Sequence, residues 1–253
     1  FASILGVNKS DILNNCRLAQ LLHNADYRAA QPPPEPIVRA VAEDQKVTLY
    51  WDPYPSEYGV DPLTGSSDKF EGYRIYRATD PAFEDPLEIT DAFGTLRFRN
   101  PIAQFDLIDG IVGLDSVGID GANFYLGNDS GLRHTFVDSS VKNGFTYYYA
   151  ITSYDFGYPA GGILPTESPI RVNLQPDGSV ILGTNVVRVT PEAPAAGYVP
   201  ATLGNIEHPE GSSTGKISYE IVDQDKIKDG HVYHITFEDT LKPGKAGKPD
   251  TLT

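Results

Sequence analysis

The residues with the strongest potential for chemistry are aspartates interleaved with glycines in the stretch from residue 79 to residue 131, called here the acidic insertion. The aspartates are Asp106, Asp109, Asp115, Asp120 and Asp129, and the glycines among them are Gly110, Gly113, Gly118, Gly121 and Gly127. Hard cations such as Ca²⁺ need several oxygen ligands, and glycine lets the carboxylates and carbonyls of a loop converge on one ion. The spacing matches no EF-hand loop. We therefore predict aspartates in solvated turns and no resident metal or cofactor, with structural calcium as the alternative.

Two further patterns suggest chemistry but are better explained as structure. Asn128-Asp-Ser-Gly131 has the Asp-Ser-Gly order of a serine-protease nucleophile turn, but the second glycine is missing and no Gly-x-Ser-x-Gly elbow occurs in the chain. His231 and His234 lie three residues apart, so in a strand they point to opposite faces and cannot easily share a metal ion. His134 also falls in a predicted strand, in an exposed or hydrogen-bonded position. No catalytic, cofactor-binding or metal-binding residue is predicted, and we expect a protein that is not an enzyme.

Carboxylates and tyrosines leave one binding hypothesis open. Asp and Glu are plentiful, but the sequence gives no way to choose a pair at the separation that glycoside hydrolysis requires. Period-two spacing predicts that Tyr147, Tyr149 and Ile151 face the core. Tyr148 and Tyr154 then lie on the opposite face. A stripe of exposed tyrosines would suit sugar rings, although half-buried packing is the ordinary role of a tyrosine in a strand.

Composition limits the partners. The 253 residues carry 20 basic and 34 acidic side chains, for a formal net charge of −14 and a pI near 4.6. Such a field repels phosphate backbones and anionic lipid, so we expect no nucleic-acid partner. No apolar run approaches the roughly 18 residues of a membrane span, which predicts no membrane insertion. The lone cysteine, Cys16, excludes an internal disulfide framework. A start at Phe1, with no methionine in the chain, indicates an internal or processed piece of a longer polypeptide.

The first predicted segment, residues 1–35, is a helix followed by a proline spacer. Residues 9 to 30 show helical spacing of apolar residues, and Ser10 can cap the helix. Cys16 falls on the apolar face, where we expect it to be a small buried hydrophobe. The tract Gln31-Pro-Pro-Pro-Glu-Pro36 then stops the helix and stiffens the chain into an extended linker ahead of the next strand.

Residues 36–174 are predicted to form one β-sandwich, because short alternating segments are separated by turn-rich stretches. The predicted strands are Val38–Ala42, Lys46–Trp51, Phe70–Ala78, Arg133–Val137, Phe145–Tyr154 and about Ser168–Leu174. The acidic insertion at about 79–131 is too long for an ordinary strand connection, and it contains strand-like pieces at Ile102–Leu107 and Asn123–Leu126. We therefore predict that it is a folded elaboration of the sandwich.

Two segments follow the predicted sandwich. Residues 175–200 open with a turn signal and are predicted to be a linker, in which the run Val180–Val189 forms a bridging strand. In residues 201–253, the runs Gly215–Val222 and His231–Asp239 predict a hairpin. We expect this hairpin to open a second β-domain that is truncated at the end of the chain.

Two of the predicted strands resemble strands of the fibronectin type III domain. Val47, Leu49 and Trp51 are similar to the second strand of that domain, which carries a buried tryptophan. Tyr73 and Ile75 resemble the inward face of its third strand. The resemblance implies a mainly β, Ig-like sandwich, here elaborated by the acidic insertion, an N-terminal helix and part of a second β-domain.

The resemblance continues in the second half of the sandwich. The segment 143–151 is similar to the turn and the sixth strand of the fibronectin type III domain, in which Tyr147 would be the corner tyrosine. Pro165, Ser168 and Val172 resemble the approach to the last strand. The whole likeness covers roughly residues 36 to 174.

A wider arrangement resembles fibronectin type III domain-containing surface proteins that environmental Gram-negative bacteria export. It is carried by Phe70–Asp80, Thr135–Asp138 and Tyr149–Asp155. The resemblance implies an extracellular or cell-surface location. The partners that it implies are neighbouring domains of the same polypeptide or other copies of it.

These expectations favour a non-catalytic structural or adhesive module of a secreted, cell-surface multidomain protein, with a segment of an extracellular fibre as one form of it. The alternative is an accessory or carbohydrate-binding region of a secreted hydrolase. In that case glycans would be the ligands.

Overall fold

The structure is a computed structural model. It describes residues 4–65, 69–85, 88–90, 96–118, 122–159, 162–200, 202, 204, 206–207, 214–215, 217, 219, 221–228, 230–236, 241–242 and 251–252. Its α-helices and strands are α1 Lys9–Asn24, β1 Ile37–Glu43, β2 Lys46–Asp52, α2 Tyr54–Glu57, β3 Phe70–Ala78, β4 Glu88–Thr90, β5 Leu96–Arg99, β6 Ala103–Asp106, β7 Gly113–Leu114, β8 Tyr125–Gly127, β9 Thr135–Asp138, β10 Tyr147–Asp155, β11 Val172–Leu174, β12 Val180–Leu182, β13 Val186–Val189, β14 Leu241–Lys242 and β15 Thr251–Leu252.

Two antiparallel sheets make the protein mainly β. The smaller sheet has the strand order β1-β2-β9, and the larger sheet has the order β13-β10-β3-β6. In the smaller sheet Val38 lies opposite Trp51, and in the larger sheet Ile75 lies opposite Ile151. The strands are rich in β-branched and aromatic residues, which suit a pleated surface buried on at least one side. The predicted mainly β class is confirmed, and the two sheets are consistent with a β-sandwich.

One apolar cluster fills the space between the two sheets. Leu49 and Trp51 of the smaller sheet pack with Tyr73, Ile75 and Ile151 of the larger sheet. The Trp51 and Tyr73 rings meet edge to face, with 5.6 Å between their centroids. Burying each such side chain contributes about 1.5–3 kcal/mol, so this cluster is the main source of stability for the sandwich.

The predicted division of β10 into two faces is confirmed. Tyr147, Tyr149 and Ile151 lie in the core between the sheets. Tyr148 and Tyr154 lie on the opposite face, where they belong to two other apolar clusters. Period-two alternation therefore places each of these side chains correctly.

The outer face of the larger sheet is covered as well. Near one end, Tyr76 and Val186 pack beneath the β11–β12 hairpin. Near the other end, Tyr154 packs with Phe124 and Leu126 of the acidic insertion. As a result β3 is buried on both sides along nearly its whole length.

The N-terminal helix is shorter than predicted and is capped by a different residue. The helix α1 ends at Asn24 rather than at residue 30, because Asp26 and Tyr27 adopt left-handed backbone with φ of 56° and 60°. Its N-cap is Asn8 and not Ser10, since the Asn8 side chain accepts a hydrogen bond of 3.0 Å from the Asp11 amide.

The expectation that Cys16 is buried is wrong. Cys16 is exposed, and α1 contains no buried residue. Helical spacing of apolar residues buries a side chain only when the helix packs on another element. The spacing in α1 was therefore insufficient to predict burial.

The proline tract is attached to the sandwich rather than free. The Ser153 hydroxyl lies within hydrogen-bond distance of two main-chain oxygens of the tract, that of Pro34 at 2.8 Å and that of Pro33 at 3.0 Å. Arg171 and Glu35 form an ion pair of 2.8 Å. These contacts hold the tract against the larger sheet as a strap.

The acidic insertion contributes strands of its own. Its strand β6 lies inside the predicted piece Ile102–Leu107 and extends the larger sheet by pairing with β3. The predicted piece Asn123–Leu126 overlaps β8, which pairs with β7. The hairpin β4–β5 lies earlier in the insertion. The described part of the insertion is thus folded, as predicted.

The last strand of the larger sheet differs from the prediction. Val186–Val189 pairs with Tyr147–Ala150, whereas only Val172–Leu174 of the predicted strand Ser168–Leu174 is extended, and it pairs with Val180–Leu182. The turn at Gln175–Gly178 is the tip of that hairpin, with a hydrogen bond of 2.9 Å from the Gln175 amide to Ser179 O. The sheet therefore extends past the predicted boundary at residue 174, into the segment predicted to be a linker.

The hairpin predicted after residue 200 is wrong for the residues that the structure describes there. The described residues of Gly215–Val222 carry no strand, and neither do residues 231–236. Val232 is 80 % exposed and Ile235 is 60 % exposed. Alternation of apolar residues stabilises a strand only where a neighbouring strand and a buried face are available. Asp239 lies outside the described residues.

Candidate functional site

The acidic insertion uses its aspartates to hold loops together. Asp106, at the end of β6, is fully buried. Its carboxylate accepts hydrogen bonds from the amides of Asp129 at 2.6 Å and Ser130 at 2.9 Å, and also from the Ser130 hydroxyl. These bonds attach the turn after β8 to the edge of the larger sheet. The expectation of a solvated turn aspartate is wrong for Asp106, because the insertion covers the strand that carries it.

Asp129 continues the same hydrogen-bonded unit. It adopts left-handed backbone with φ of 58°, and its carboxylate accepts bonds of 3.1 Å from the Asp109 amide and 3.0 Å from the Gly110 amide. Asp109 in turn accepts a bond of 2.9 Å from the Ile111 amide. Asp109 and Gly110 are exposed, so this edge of the unit reaches solvent. These two aspartates close turns, as predicted.

A second unit forms around Asp115, away from the first. Its carboxylate accepts bonds from the amides of Val117 at 3.1 Å and Gly118 at 2.7 Å, and from the Phe124 amide. Asp115 is buried, so the expectation of a solvated turn is wrong here too. Asp120 lies outside the described residues. Among the described residues, no group of three or more His, Cys, Asp or Glu side chains is arranged to hold a metal ion.

The sequence did not single out Glu71, which lies next to the first unit. Glu71 is fully buried, and within the described residues neither of its carboxylate oxygens has a hydrogen-bond partner. Burial, together with the charges of Asp109, Asp106 and Asp129, raises the pKa of Glu71 to about 8. At neutral pH the neutral carboxylic acid therefore dominates. No pattern in the sequence distinguishes Glu71, because β3 also carries Arg74 and Arg77.

A second unpredicted group is the ion pair of Arg74 and Glu167 on the outer face of the larger sheet. Arg74 Nη1 lies 3.2 Å from Glu167 Oε2, and Arg74 Nη2 donates to the main-chain oxygen of Tyr125 at 2.6 Å. The guanidinium carbon lies 3.7 Å from the centre of the Phe124 ring, which is close enough for a cation–π contact. The buried arginine thus holds the acidic insertion onto the sheet.

Glu167 gathers the remaining polar side chains of this outer face. Its Oε1 accepts hydrogen bonds of 2.7 Å from the Tyr76 hydroxyl and 2.6 Å from the Thr152 hydroxyl. Tyr76 and Thr152 are both buried. A buried hydroxyl without a hydrogen-bond partner costs stability. Glu167 therefore stabilises both β3 and β10 by accepting from one hydroxyl of each strand.

A third group lies at the start of β3. Lys69 Nζ lies 3.0 Å from Asp61 Oδ2, and both side chains are buried. Burial alone would raise the pKa of Asp61, but hydrogen bonds from Thr64 and from the Leu63 amide, together with the positive charge of Lys69, hold it below its ordinary value. Nearby, burial raises the pKa of Asp155 above its ordinary value despite hydrogen bonds from Thr166 and the charge of Lys69. Two carboxyl groups therefore share one lysine.

The histidines and the serine turn take structural positions. His134 Nε2 lies 2.7 Å from Glu57 Oε1, which confirms the predicted hydrogen-bonded role. His231 and His234 are exposed. The Ser130 hydroxyl donates to a buried carboxylate, within a turn that includes a left-handed residue on each side of Ser130. This geometry supports the turn interpretation of Asn128-Asp-Ser-Gly131.

Comparison of the chain with models of known protein families, with curated proteins and with solved structures found no match. Within the described part of the chain, no helix combines the length and the apolar character needed to cross a membrane.

Proposed function

We propose that this chain is a non-catalytic structural or adhesive module of an exported, cell-surface multidomain protein, built on a fibronectin type III-like sandwich. The observation that carries the proposal is the use made of buried polar groups. Asp106, Arg74 and Glu167 all hold loops to sheets, in a molecule whose covered β-framework extends over both faces of the larger sheet. Such an arrangement provides rigidity.

The order of the strands supports the fibronectin type III-like part of the proposal. In chain order the seven strands of the two sheets are β1, β2, β3, β6, β9, β10 and β13. Trp51 lies on the second of them, Tyr73 and Ile75 on the third, and Tyr147 on the sixth. These are the positions that the resemblance implies for the buried tryptophan, the inward-facing pair and the corner tyrosine.

The geometry of the corner adds independent support. Tyr147 is the first residue of β10, and its hydroxyl accepts a hydrogen bond of 3.1 Å from the amide of Lys142, five residues earlier. In Ig-like sandwiches a tyrosine near the start of the corresponding strand bonds to the backbone a few residues upstream. The local contact and the strand order therefore favour the same fold family.

Cell fractionation tests the exported location. Antibody raised against this chain is applied to intact source cells and, in parallel, to permeabilised cells. We expect strong labelling of intact cells and loss of the signal after mild protease treatment of their surface. Labelling that requires permeabilisation would reject the proposal. Electron microscopy of the full-length native material then distinguishes isolated modules from an extracellular fibre.

A carbohydrate-binding region of a secreted hydrolase is the second candidate. Its support is a pair of stacked rings, Tyr54 and Tyr58, with centroids 5.4 Å apart and an angle of 28° between their planes. Tyr54 is 55 % exposed. Aromatic faces presented to solvent can stack on sugar rings, since one side of a sugar is apolar.

A glycan array tests this second candidate. Binding that free glycan competes away, and that Tyr54→Ala abolishes, would establish it. Phe145→Ala is the matched control, because Phe145 is 59 % exposed but lies outside this ring pair. An array without competable binding, or equal losses in both variants, would leave the structural module as the only supported function.

A further inference from the structure

Three ionisable side chains share one small cavity beneath the proline strap. Asp61, Lys69 and Asp155 line it together with Phe70 and the strap residues 31–34. Its volume is about 20 Å³, which is enough for one water molecule. The strap forms one wall of the cavity, where the Gln31 amide donates to Asp61 Oδ1 at 3.4 Å. A lysine and two carboxyl groups are therefore confined together away from bulk solvent.

The contact between Lys69 and Asp61 has an unusual geometry. Their side chains are 9 % and 5 % exposed, and Nζ lies 3.0 Å from Oδ2. Despite this short distance, the approach lacks the direction of a hydrogen bond, and within the described residues Lys69 Nζ has no other hydrogen-bond acceptor. The Tyr158 ring centre lies 5.6 Å from Nζ. Within the described residues the amine is thus paired with the carboxyl group by charge and proximity, without a hydrogen bond.

We propose that Lys69 and Asp61 condense into an intramolecular isopeptide bond, with Asp155 relaying the proton. The bond that forms joins Lys69 Nζ to Asp61 Cγ, and the bond that breaks is Cγ–Oδ2. An ammonium and a carboxylate together hold the atoms of one amide and one water, so no oxidant, activating group or outside proton is required. The released water has a place in the cavity.

The surroundings of Asp61 supply what this step needs. When Nζ attacks Cγ, negative charge develops on Oδ1, which faces the Leu63 amide at 3.2 Å and the Gln31 amide. Preorganised amides of this kind stabilise an oxyanion. The departing Oδ2 accepts a hydrogen bond of 2.8 Å from the Thr64 hydroxyl. Hydrogen-bond donors therefore face both Oδ1, where the negative charge develops, and Oδ2, which leaves.

Asp155 fits the role of relay because it lines the same cavity as Lys69 and Asp61. It is 1 % exposed, and Lys69 is the positive charge that acts on it. A carboxyl group in this position can take a proton from the Lys69 ammonium and then give it to the departing Oδ2. Asp155 therefore has the same protonation state before and after the condensation.

Tryptic mapping of the denatured protein tests the bond directly. Trypsin cuts after Lys46, Lys69 and Arg74, so a free Lys69 yields fragment 47–69. An isopeptide at Lys69 blocks that cut, and we expect fragment 47–74 with its mass lowered by one water. Mapping is needed because a succinimide at Asp229-Gly230 would also lower the intact mass by one water. Fragment 47–69 at unmodified mass as the main product, or 47–74 at full mass, overturns the proposal.

Variants separate the bond from its relay. Lys69→Arg keeps the positive charge but cannot condense, so fragment 47–69 should be cut after the new arginine and keep its full mass. Asp61→Asn should still condense, losing the mass of one ammonia instead of one water.

Asp155→Asn should leave most of the chain unlinked, and Asp155→Glu should restore the bond, provided that both variants melt cooperatively. Full condensation in a folded Asp155→Asn variant overturns the assignment of the relay. The assignment is also overturned if the Asp155→Asn and Asp155→Glu variants condense to the same extent at every pH from acidic to alkaline.

Discussion

The two faces of the larger sheet are both buried, but different interactions stabilise them. On the face towards the smaller sheet, Tyr73, Ile75 and Ile151 pack in an apolar core. On the outer face, Arg74 and Thr152 are buried to the same degree, yet they are polar. In antiparallel sandwiches an outer face is commonly solvated, where polar side chains need no protein partner. Here the acidic insertion and the β11–β12 hairpin remove that water, so protein groups must replace it.

The two faces differ in the kind of substitution that destabilises them. A well-packed apolar face tolerates exchange between side chains of similar volume and fails when a cavity is created. A buried polar face tolerates little, because losing one partner leaves the other unsatisfied. On the outer face a single carboxylate, Glu167, satisfies Arg74, Tyr76 and Thr152. We therefore expect the largest single loss of stability there.

Glu167→Ala should be the most destabilising change, lowering the free energy of unfolding by about 4 kcal/mol, because it leaves a buried arginine unpaired. Urea unfolding followed by the fluorescence of Trp51, the only tryptophan, measures the loss. Glu167→Gln is the matched control, since it keeps an oxygen for the two hydroxyls and loses only the charge. If Ala costs no more than Gln, the outer face does not depend on hydrogen bonds to this side chain.

Leu49→Ala should cost about 3 kcal/mol, because Leu49 is fully buried in the inner core and its removal leaves a cavity. The same urea titration measures it. Leu49→Met preserves most of the volume and should cost less than about 1.5 kcal/mol. A methionine variant as unstable as the alanine variant would contradict the view that this face depends on volume.

Glu71, the second residue of β3, makes the stability of the fold depend on pH. Its pKa is raised from about 4.5 in the unfolded chain to about 8 in the fold. The unfolded state therefore releases this proton first, so its contribution is complete below pH 4.5 and is lost as the pH rises towards 8. Each tenfold change in proton affinity corresponds to about 1.4 kcal/mol, so the whole change is on the order of a few kcal/mol.

Glu71→Gln isolates this contribution, because glutamine stays neutral at every pH. We expect the variant to gain stability relative to the wild-type chain between pH 5 and pH 9, measured by thermal unfolding at several pH values. Glu192→Gln is the control, since Glu192 is exposed and should show no such trend. A constant difference between the Glu71 variant and the wild type across that range would place a charged Glu71 in the fold at neutral pH.

The same contrast between faces explains how much of the molecule can be predicted from its sequence. The strand β3 begins and ends where it was predicted, and β10 begins only two residues late. Both carry a strong apolar period of two on the face that meets the core. The short strand β13 lies within the predicted bridging strand Val180–Val189, but its pairing with β10 was not predicted, because the preceding turn resembles a domain boundary.

The buried polar groups could not be predicted, because their partners are remote in the sequence. Arg74 and Glu167 are 93 positions apart, and no local pattern links them. The acidic insertion was correctly expected to be folded, but the burial of Asp106 depends on its place under the turn that includes Gly127, where a side chain in place of glycine would collide with the carboxylate. Local patterns predict which strands exist, whereas long-range contacts decide which polar residues are buried.

Tyr147→Phe should have the smallest effect of these changes, about 1 kcal/mol, since it removes one hydrogen bond and keeps the ring in the core. The measurement is again urea unfolding, with Tyr148→Phe on the outer face as the matched control. A larger loss for Tyr147 would show that the corner bond stabilises the inner face beyond its apolar packing. Equal losses would mean that the corner contributes nothing of its own, and the fibronectin type III-like proposal would then depend on strand order and on Trp51 alone.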